Sequence, residues 1–402
     1  MKDLEEKAQE LYRGGCLAPM VRASTTPLRT LALHYGANAV YTEEMIDRSI
    51  TATVRVVNDT LHTIDYVKDT ASLSKKTLRR LERDNRPALL FRLDPSIEAA
   101  NLICQIGSGE PELALDAARH VYQDVASIDI NMGCPKKFSV SGGMGSALLS
   151  DPDRASRIIK TLRAEIPRPI SCKIRLLKDT AATVQFMEAM INAGVHAIAV
   201  HARRVGDEST NPADWETLEE VLGLLRPKYP QFPFLVNGDF YVREETKAFL
   251  AKTGASGVLL GRPALYNTSI FRPLSESLED KTKVVQEYLQ RSVQYDVHYK
   301  NAKYVICEMM NNRRAPIPRV PFLPQEFPGG QTIGSTCSLH SLQGLCELWN
   351  VKWSDYAPVG NSQSKIVMEP GEHKYDDAYF LKQEKHAGTA DTQPEAKRIK
   401  RV

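Results

Sequence analysis

The chain has 402 residues, of which 42% are hydrophobic and 25% are charged, and its 52 Lys and Arg residues against 49 Asp and Glu residues give a formal net charge of +3. This composition is typical of a globular protein with a full core, and the charge is too small to indicate a nucleic-acid binder by itself. No apolar stretch approaches the roughly 20 residues that cross a membrane, and the charged start MKDLEEKAQELYRGG predicts neither a secretory signal nor a mitochondrial transit peptide.

The cysteines are widely spaced and form no C-x-x-C pair. They are Cys16, Cys104, Cys134, Cys172, Cys307, Cys337 and Cys346. An odd number of scattered cysteines is typical of free thiols in a reducing compartment. We therefore expect a cytoplasmic protein with no disulfide scaffold and no metal site, in which one cysteine carries chemistry and the others are small buried hydrophobic residues.

Short apolar runs alternate along the chain with amphipathic stretches such as residues 151–163 and 181–193. The runs lie at residues 16–21, 39–42, 102–106, 127–131, 170–174, 197–201, 234–237 and 257–260. Such runs between helices are typical of parallel strands buried on both faces. Eight units in about 245 residues predict an α/β fold, a (β/α)8 TIM barrel. An open doubly wound sheet is the alternative, and it is less favoured because no G-x-G-x-x-G follows the first run.

Two regions depart from this alternation. Residues 50–100 hold extra material between the second and third strands, which we interpret as an insertion that packs over the barrel. Residues 279–312 contain no Gly or Pro and predict a helical region, followed by a loop at 314–330 and one more helix within 334–356. The expected division is a barrel domain over residues 1–272, a helical domain over 273–358 and a disordered polar and basic tail over 359–402.

Polar residues and glycines follow nearly every predicted strand. A TIM barrel builds its active site at the carboxyl ends of its strands, so these residues should converge on one mouth. They are Pro19, Met20, Glu43, Glu44, Gln105, Asn131, Cys134, Lys173, Arg175, His201, Asn237, Gly238, Asp239, Gly261 and Arg262. Core packing is a poor explanation for so many polar groups at the ends of separate strands.

The loops after the last two strands indicate a phosphate site. They read NGD at 237–239 and GRPAL at 261–265. TIM barrels often bind phosphate in these loops, beside the N-terminus of a short extra helix. Glycine lets the backbone approach the phosphate, and Arg262 is a bidentate donor. The alternative, two ordinary glycine turns with a surface arginine, is weaker for the two loops together than for either alone.

A phosphate at this position, together with Gln105, Lys173 and His201, suggests flavin mononucleotide (FMN). The Gln105 amide can serve both donor and acceptor positions on a pyrimidine-like ring edge. A lysine near the flavin N1 and O2 atoms would stabilise the anion of the reduced ring. Other interpretations stay open at this point, because Lys173 also suits a Schiff-base or an ion-paired lysine, and His201 also suits a hydrogen-bonded core histidine.

The segment DINMGCPKKF at 129–138, followed by SGGMGSALL at 141–149, resembles the active-site signature of the tRNA-dihydrouridine synthases. Further motifs occur in that family's order: LAPMV at 17–21, TEEM at 42–45, CQIGSG at 104–109, CKIRL at 172–176, AVHAR at 199–203, NGDF at 237–240 and LLGRPAL at 259–265. The resemblance covers about residues 14–312 and includes VQYDVHYKNAKY at 293–304. The forms NMGCPKK and AVHAR are most similar to the eukaryotic branch that modifies position 20 of the tRNA D-loop.

This resemblance implies a role for each matching residue. Cys134 is expected to be the catalytic proton donor, and Asn131, Lys136 and Arg203 are expected to contact the substrate. FMN is expected to be held by Pro19, Met20, Val21, Gln105, Lys173, His201, Asn237, Gly238, Asp239, Gly261 and Arg262. The resemblance also implies that the helical domain binds tRNA and that NADPH or NADH regenerates the reduced flavin.

The implied chemistry suits a uracil ring. Its 5,6 double bond is conjugated with the C4 carbonyl, so C6 accepts hydride and C5 then accepts a proton from a positioned acid on the other face. The nucleotide must leave its stack to reach a barrel mouth. Two alternatives remain open, another FMN barrel that reduces a free pyrimidine or an enone, and a non-catalytic RNA-binding barrel.

The remaining expectations concern charge, assembly and location. Lys136, Lys137, Arg203 and Arg204 should rim the catalytic mouth and give a basic face to a nearly neutral protein. We expect a monomer in the cytoplasm, and the basic run KRIKR at 397–401 adds the nucleus as a second expected location.

Overall fold

The computed structural model describes residues 3–70, 73–84, 86–310, 327 and 329–358. These residues form twelve strands: β1 (Gly14–Leu17), β2 (Ala39–Tyr41), β3 (Met45–Ile46), β4 (Thr53–Asn58), β5 (Thr63–Lys68), β6 (Leu89–Leu93), β7 (Leu102–Gly107), β8 (Ser127–Asn131), β9 (Ile170–Arg175), β10 (Ala197–His201), β11 (Phe234–Asn237) and β12 (Gly257–Leu260). The helices among them are α1 (Leu4–Leu11), α2 (Thr26–His34), α3 (Asp47–Thr51), α4 (Lys75–Asp84), α5 (Pro111–Val121), α6 (Lys137–Ser141), α7 (Pro152–Glu165), α8 (Thr180–Asn192), α9 (Trp215–Leu225), α10 (Arg243–Thr253), α11 (Arg262–Tyr266), α12 (Lys281–Gln294), α13 (Tyr299–Met309), α14 (Ile333–Ser338) and α15 (Leu342–Leu348).

Eight parallel strands close into a barrel. Their order is β2-β1-β12-β11-β10-β9-β8-β7, and β2 pairs with β7 to complete the ring. The predicted (β/α)8 TIM barrel is therefore confirmed, and the open sheet is wrong. The first strand ends at Leu17 and not at Val21, because Pro19 has no backbone N–H for the ladder and the chain turns back from Met20 to Ser24.

The amino-terminal end of the barrel is closed by Tyr12, which follows α1. Its buried hydroxyl donates to Ser171 Oγ at 2.8 Å and lies 2.6 Å from Ser127 Oγ. Around it the barrel interior is lined by small and apolar side chains: Cys16, Ala18, Ala39, Tyr41, Ile103, Ala197, Ala199, Leu235 and Leu259. A separate and larger core lies between the strands and the surrounding helices.

The predicted insertion is a small antiparallel sheet of β4, β5 and β6 together with α4. Asp124, which follows α5, binds it to the barrel, because its carboxylate accepts two hydrogen bonds from Arg55 at 2.7 and 2.9 Å and one from the Tyr66 hydroxyl at 2.6 Å. On the other side, Arg92 of β6 donates to the backbone oxygen of Tyr295. The insertion thus lies between the barrel and the C-terminal helices.

The C-terminal region is helical in the residues described. The predicted helical stretch at 279–312 is interrupted between α12 and α13, where Asp296 adopts a left-handed conformation with φ of 46°. The single helix expected within 334–356 is instead α14 and α15. Most of the predicted loop at 314–330 and the whole predicted tail at 359–402 lie outside the described residues.

Membrane-spanning helices and metal clusters are both absent from the described part of the chain. No helix there is long and apolar enough to cross a bilayer. The same residues contain no group of three or more His, Cys, Asp or Glu side chains that could hold a metal ion.

Candidate active site

Side chains of β7, β8 and β9 share a buried hydrogen-bond network. Asn131 Nδ2 donates to Gln105 Oε1 at 3.2 Å, and Gln105 Nε2 donates to one carboxylate oxygen of Asp129 at 2.8 Å. Ser171 Oγ donates to the other oxygen of Asp129 at 2.6 Å. Burial raises the pKa of Asp129 to about 6, and the hydrogen bonds from Ser171 and Gln105 oppose that rise. Because the ionised carboxylate only accepts, it fixes which way the Gln105 amide points.

The loop that carries Cys134 is held by the last residue of β8. The side-chain oxygen of Asn131 accepts hydrogen bonds from the backbone N–H groups of Gly133 and Cys134, each at 2.9 Å. Farther along the loop, the Ser146 N–H donates to the backbone oxygen of Cys134 at 3.0 Å. The loop is therefore anchored from both sides of the cysteine.

Gly145, in the glycine-rich segment after the cysteine loop, packs closely against Cys134. Its φ is +58°, and a Cβ at this position would lie 2.6 Å from the backbone oxygen of Cys134. Real Cβ atoms essentially never come within 3.0 Å of a neighbouring atom, and a left-handed conformation is strained for residues other than glycine. Glycine at 145 is thus needed for the two segments to pack together.

The Cys134 thiol is half-buried and remains protonated at neutral pH. Burial raises its pKa, and the neighbouring carboxylate of Glu44 raises it further. Burial also raises the pKa of Glu44 itself. A thiol with a raised pKa is a proton donor and a poor nucleophile.

Lys173 of β9 lies beside this loop, and His201 of β10 lies near Lys173. Burial and the nearby Arg175 lower the pKa of Lys173 to about 8, while Asp129, Cys134 and Glu44 favour its charged form. Burial and the surrounding cations, Lys173 first among them, lower the pKa of His201 well below its usual value. At neutral pH the site therefore presents an ammonium group beside a neutral imidazole.

The loops after β10, β11 and β12 build an arginine cluster on one carboxylate. Asp239 binds Arg203 through one oxygen and Arg262 through the other, both at 2.6 Å. The Ala213 N–H also donates to Asp239 at 2.8 Å, and Asp239 has a left-handed φ of 58°. The Asp239 side chain is fully buried and Arg262 is 37% exposed. Two guanidinium groups on one carboxylate leave a net positive charge, which fits a phosphate group.

The other predicted cofactor residues differ in their contacts and exposure. Met20 is adjacent to Gly261, since a Cβ on Gly261 would lie 3.5 Å from the Met20 sulfur. Asn237 donates to the backbone oxygen of Leu259 at 2.7 Å and so joins β11 to β12. Val21 is 57% exposed, and Pro19 precedes it as a partly buried residue.

The two predicted substrate residues outside the network differ in exposure. Lys136 is exposed at the start of α6, with Lys137 beside it. Arg203 is only 2% exposed, and its guanidinium donates to the Asn211 backbone oxygen as well as to Asp239. The expectation that Arg203 rims the mouth is therefore wrong, because its side chain lies with the predicted phosphate residues.

Two residues of the site have no role assigned by sequence alone. In the sequence, Glu44 is only a polar residue after the second strand, and Asp129 is only the first letter of the DINMGCP motif. Asp129 carries a usable signal, because an acidic side chain in the middle of the apolar strand SIDIN must find buried hydrogen-bond partners. Glu44 carries no comparable signal, since its contact with Cys134 joins two distant loops.

Comparison with known proteins identifies a matching family. The family model described as "Dihydrouridine synthase (Dus)" matches residues 16–315. A Schizosaccharomyces pombe protein named tRNA-dihydrouridine(20) synthase [NAD(P)+] is 41% identical over 305 residues, which are 73% of this chain and 59% of the relative. The chain thus spans about three fifths of the length of that relative.

Two further relatives come from yeast and from bacteria. A Saccharomyces cerevisiae protein, also named tRNA-dihydrouridine(20) synthase [NAD(P)+], is 34% identical over 304 residues, or 73% of this chain and 76% of the relative. The tRNA-dihydrouridine synthase B of Pseudomonas syringae is 28% identical over 271 residues, or 67% of this chain and 69% of the relative. Because the family model matches residues 16–315, from β1 to beyond the end of α13, this chain belongs to the dihydrouridine synthase family.

Proposed function

We propose that this chain is an FMN-dependent tRNA-dihydrouridine synthase that reduces the 5,6 double bond of the uridine at position 20 of the tRNA D-loop, with NADPH or NADH as reductant. The observation that carries the proposal is the Cys134 thiol, held at the mouth by Asn131 and kept protonated by burial and Glu44. The names of the two yeast relatives support the position and the reductant.

The donor set of the mouth fits FMN. Arg262 and Arg203 would hold its phosphate, and the Gln105 amide would meet the edge of its pyrimidine-like ring. The Lys173 ammonium group would offset negative charge on that ring. When bound and reduced, the cofactor supplies the hydride for C6 of the uracil.

Cys134 then completes the reduction by giving its proton to C5. A general acid must hold its proton until the transfer, and the raised pKa of the thiol meets this requirement. Transfer leaves a thiolate, which the nearby positive charge of Lys173 stabilises. Hydride at C6 and a proton at C5 together account for both hydrogens of the product.

We also propose that the helical region over 273–358 contacts the tRNA. In support, α13 lies at the edge of the mouth, where Asn301 donates to the backbone oxygen of Arg22 at 2.8 Å and the Arg22 guanidinium lies 4.2 Å from the centre of the Tyr304 ring. The exposed Lys136 and Lys137 are a second contact in this proposal. The target nucleotide would be extruded from its stack into the mouth between them.

The test uses the purified full chain. Its visible absorption spectrum reports bound flavin, and incubation with NADPH and unmodified tRNA, followed by mass mapping, reports which uridine gains two hydrogens. Parallel reactions contain free uracil, free uridine or a simple enone. We expect a flavin spectrum and a product confined to tRNA. Turnover of only the small molecules would favour a free-pyrimidine or enone reductase, and tRNA binding without flavin would favour a non-catalytic barrel.

A further inference from the structure

Helix α4 of the insertion is a strongly basic element on a nearly neutral protein. Its ten residues, KKTLRRLERD, include five cationic and two acidic side chains, so its excess of positive charge equals that of the whole chain. None of its residues is buried. The helix therefore presents most of its charge to solvent.

Arg83 is the one cation of α4 that has an acidic partner among the described residues, Asp84 at 3.0 Å. Within the part of the chain that the structure describes, Lys75, Lys76, Arg79 and Arg80 form no ion pair. Lys75 and Arg79, and likewise Lys76 and Arg80, stand four residues apart on the same helix face, where like charges destabilise a helix. An anion bound from outside the chain would offset this repulsion.

Two contacts fix α4 against the C-terminal helices. Arg86, just after the helix, donates to the backbone oxygen of Asp296 at 2.7 Å and to its carboxylate at 2.8 Å. Asp84, the last residue of α4, lies 3.6 Å from the imidazole of His298. These contacts place α4 beside the turn between α12 and α13.

A cavity of about 390 Å³ lies between these elements, and we call it the insertion groove. Its basic lining residues are Arg29, Arg80, Arg86, Arg92, His298 and Lys300. Arg29 is buried and paired with Glu98. Arg92 is paired with Asp65 and Arg86 with Asp296, whereas the exposed Arg80 and Lys300 have no ion-pair partner in the described residues. Both walls of the groove thus contribute an unpaired cation.

The insertion groove leads to the catalytic mouth. The same cavity is lined by Thr42 and Glu43, which follow β2. The next residue, Glu44, lies near enough to Cys134 for its carboxylate to raise the pKa of the thiol. An extended polyanion in the groove would therefore pass directly beside a nucleotide held at the mouth.

From this placement we infer that α4 and the insertion groove bind the sugar-phosphate backbone of the RNA substrate next to its reacting uridine. The inference rests on the proposed function, and it identifies a binding surface on the insertion. Contacts to phosphates set affinity and orientation and carry no base information. They release condensed counterions, so they make binding weaken as salt rises.

The test compares two variants with the same reduction in charge. One is the triple variant Lys76→Ala, Arg79→Ala, Arg80→Ala on α4. The matched control is Arg157→Ala, Lys160→Ala, Lys247→Ala, on exposed positions of α7 and α10. The dissociation constant of unmodified tRNA is measured by fluorescence anisotropy at several KCl concentrations, and circular dichroism and flavin content check the fold.

We expect the α4 variant to bind tRNA at least about tenfold more weakly at moderate salt, with the slope of log K against log salt reduced by about 0.7–0.9 for each phosphate that the helix no longer neutralises. The control should change little, and NADPH should reduce the flavin at the same rate in both. Equal binding by the two variants would overturn the inference, as would tRNA that does not bind the unaltered protein. Binding without dihydrouridine formation by the unaltered protein would instead overturn the proposed function.

Discussion

Asn131 fixes the position of Cys134 through the backbone: its side-chain oxygen accepts the Cys134 N–H at 2.9 Å and the Gly133 N–H at the same distance. The same side chain donates to Gln105, which belongs to the network around Asp129. The loop that carries Cys134 is therefore tied to two buried strands, β7 and β8. A site built on rigid elements in this way holds its reacting group in one place.

Replacing Gly145 with alanine should displace the loop that carries Cys134. The new Cβ would lie 2.6 Å from the Cys134 backbone oxygen, at a φ of +58°. We expect the free energy of unfolding to fall by about 1–3 kcal/mol, and dihydrouridine formation to fall with flavin content unchanged. The control is Gly223→Ala on α9, where a Cβ meets no atom within 4 Å. Urea unfolding in which both variants are equally stable would contradict the packing role of Gly145.

Replacing Glu44 with glutamine should change how activity depends on pH. The negative charge of Glu44 raises the pKa of the Cys134 thiol, so removing that charge lowers this pKa. The thiol then ionises at a lower pH, so the alkaline limb of the pH–rate profile moves to lower pH. The profile of single-turnover reduction of tRNA measures this shift. A profile identical to that of the unaltered enzyme would contradict the coupling of the two groups.

Replacing Arg262 with alanine should weaken flavin binding. The Arg262 guanidinium donates to an Asp239 carboxylate oxygen at 2.6 Å and belongs to the cluster that fits a phosphate group. A charge-assisted hydrogen bond is worth about 1.5–3 kcal/mol, so we expect the dissociation constant of FMN to rise roughly tenfold or more. Titration of the apoprotein with FMN gives the value. Arg157→Ala on α7 is the matched control. Equal affinities of the two variants for FMN would contradict a role for Arg262 in cofactor binding.

The barrel was predictable because its signal is local. Each strand is a short apolar run, and polar residues such as Gln105, Asn131 and His201 mark the strand ends where a barrel collects its functional groups. The position of the Cys134 loop after β8 was predictable, because its motif is contiguous in the chain. The first strand differs most from its predicted range, because Pro19 ends the ladder early.

The electrostatics of the site were not predictable, because they depend on contacts between distant segments. The sequence does not reveal that Asp239 holds Arg203 in a buried pair, which withdraws that arginine from the rim. Nor does it place Glu44 against Cys134, although both residues stand in recognisable motifs. The break between α12 and α13 was not predictable, because the residue that adopts the left-handed conformation there is Asp296 and not a glycine.

The central claim is that the Cys134 thiol protonates the uracil ring, and Cys134→Ala tests it most directly. The unaltered protein and the variant, both with measured flavin content, are incubated with NADPH and unmodified tRNA, and dihydrouridine at position 20 is quantified by mass mapping. Removal of a positioned acid slows a reaction about 100-fold or more, so we expect the variant to retain its yellow flavin and lose at least that much activity. A flavin-loaded variant that modifies position 20 at the normal rate would contradict the claim.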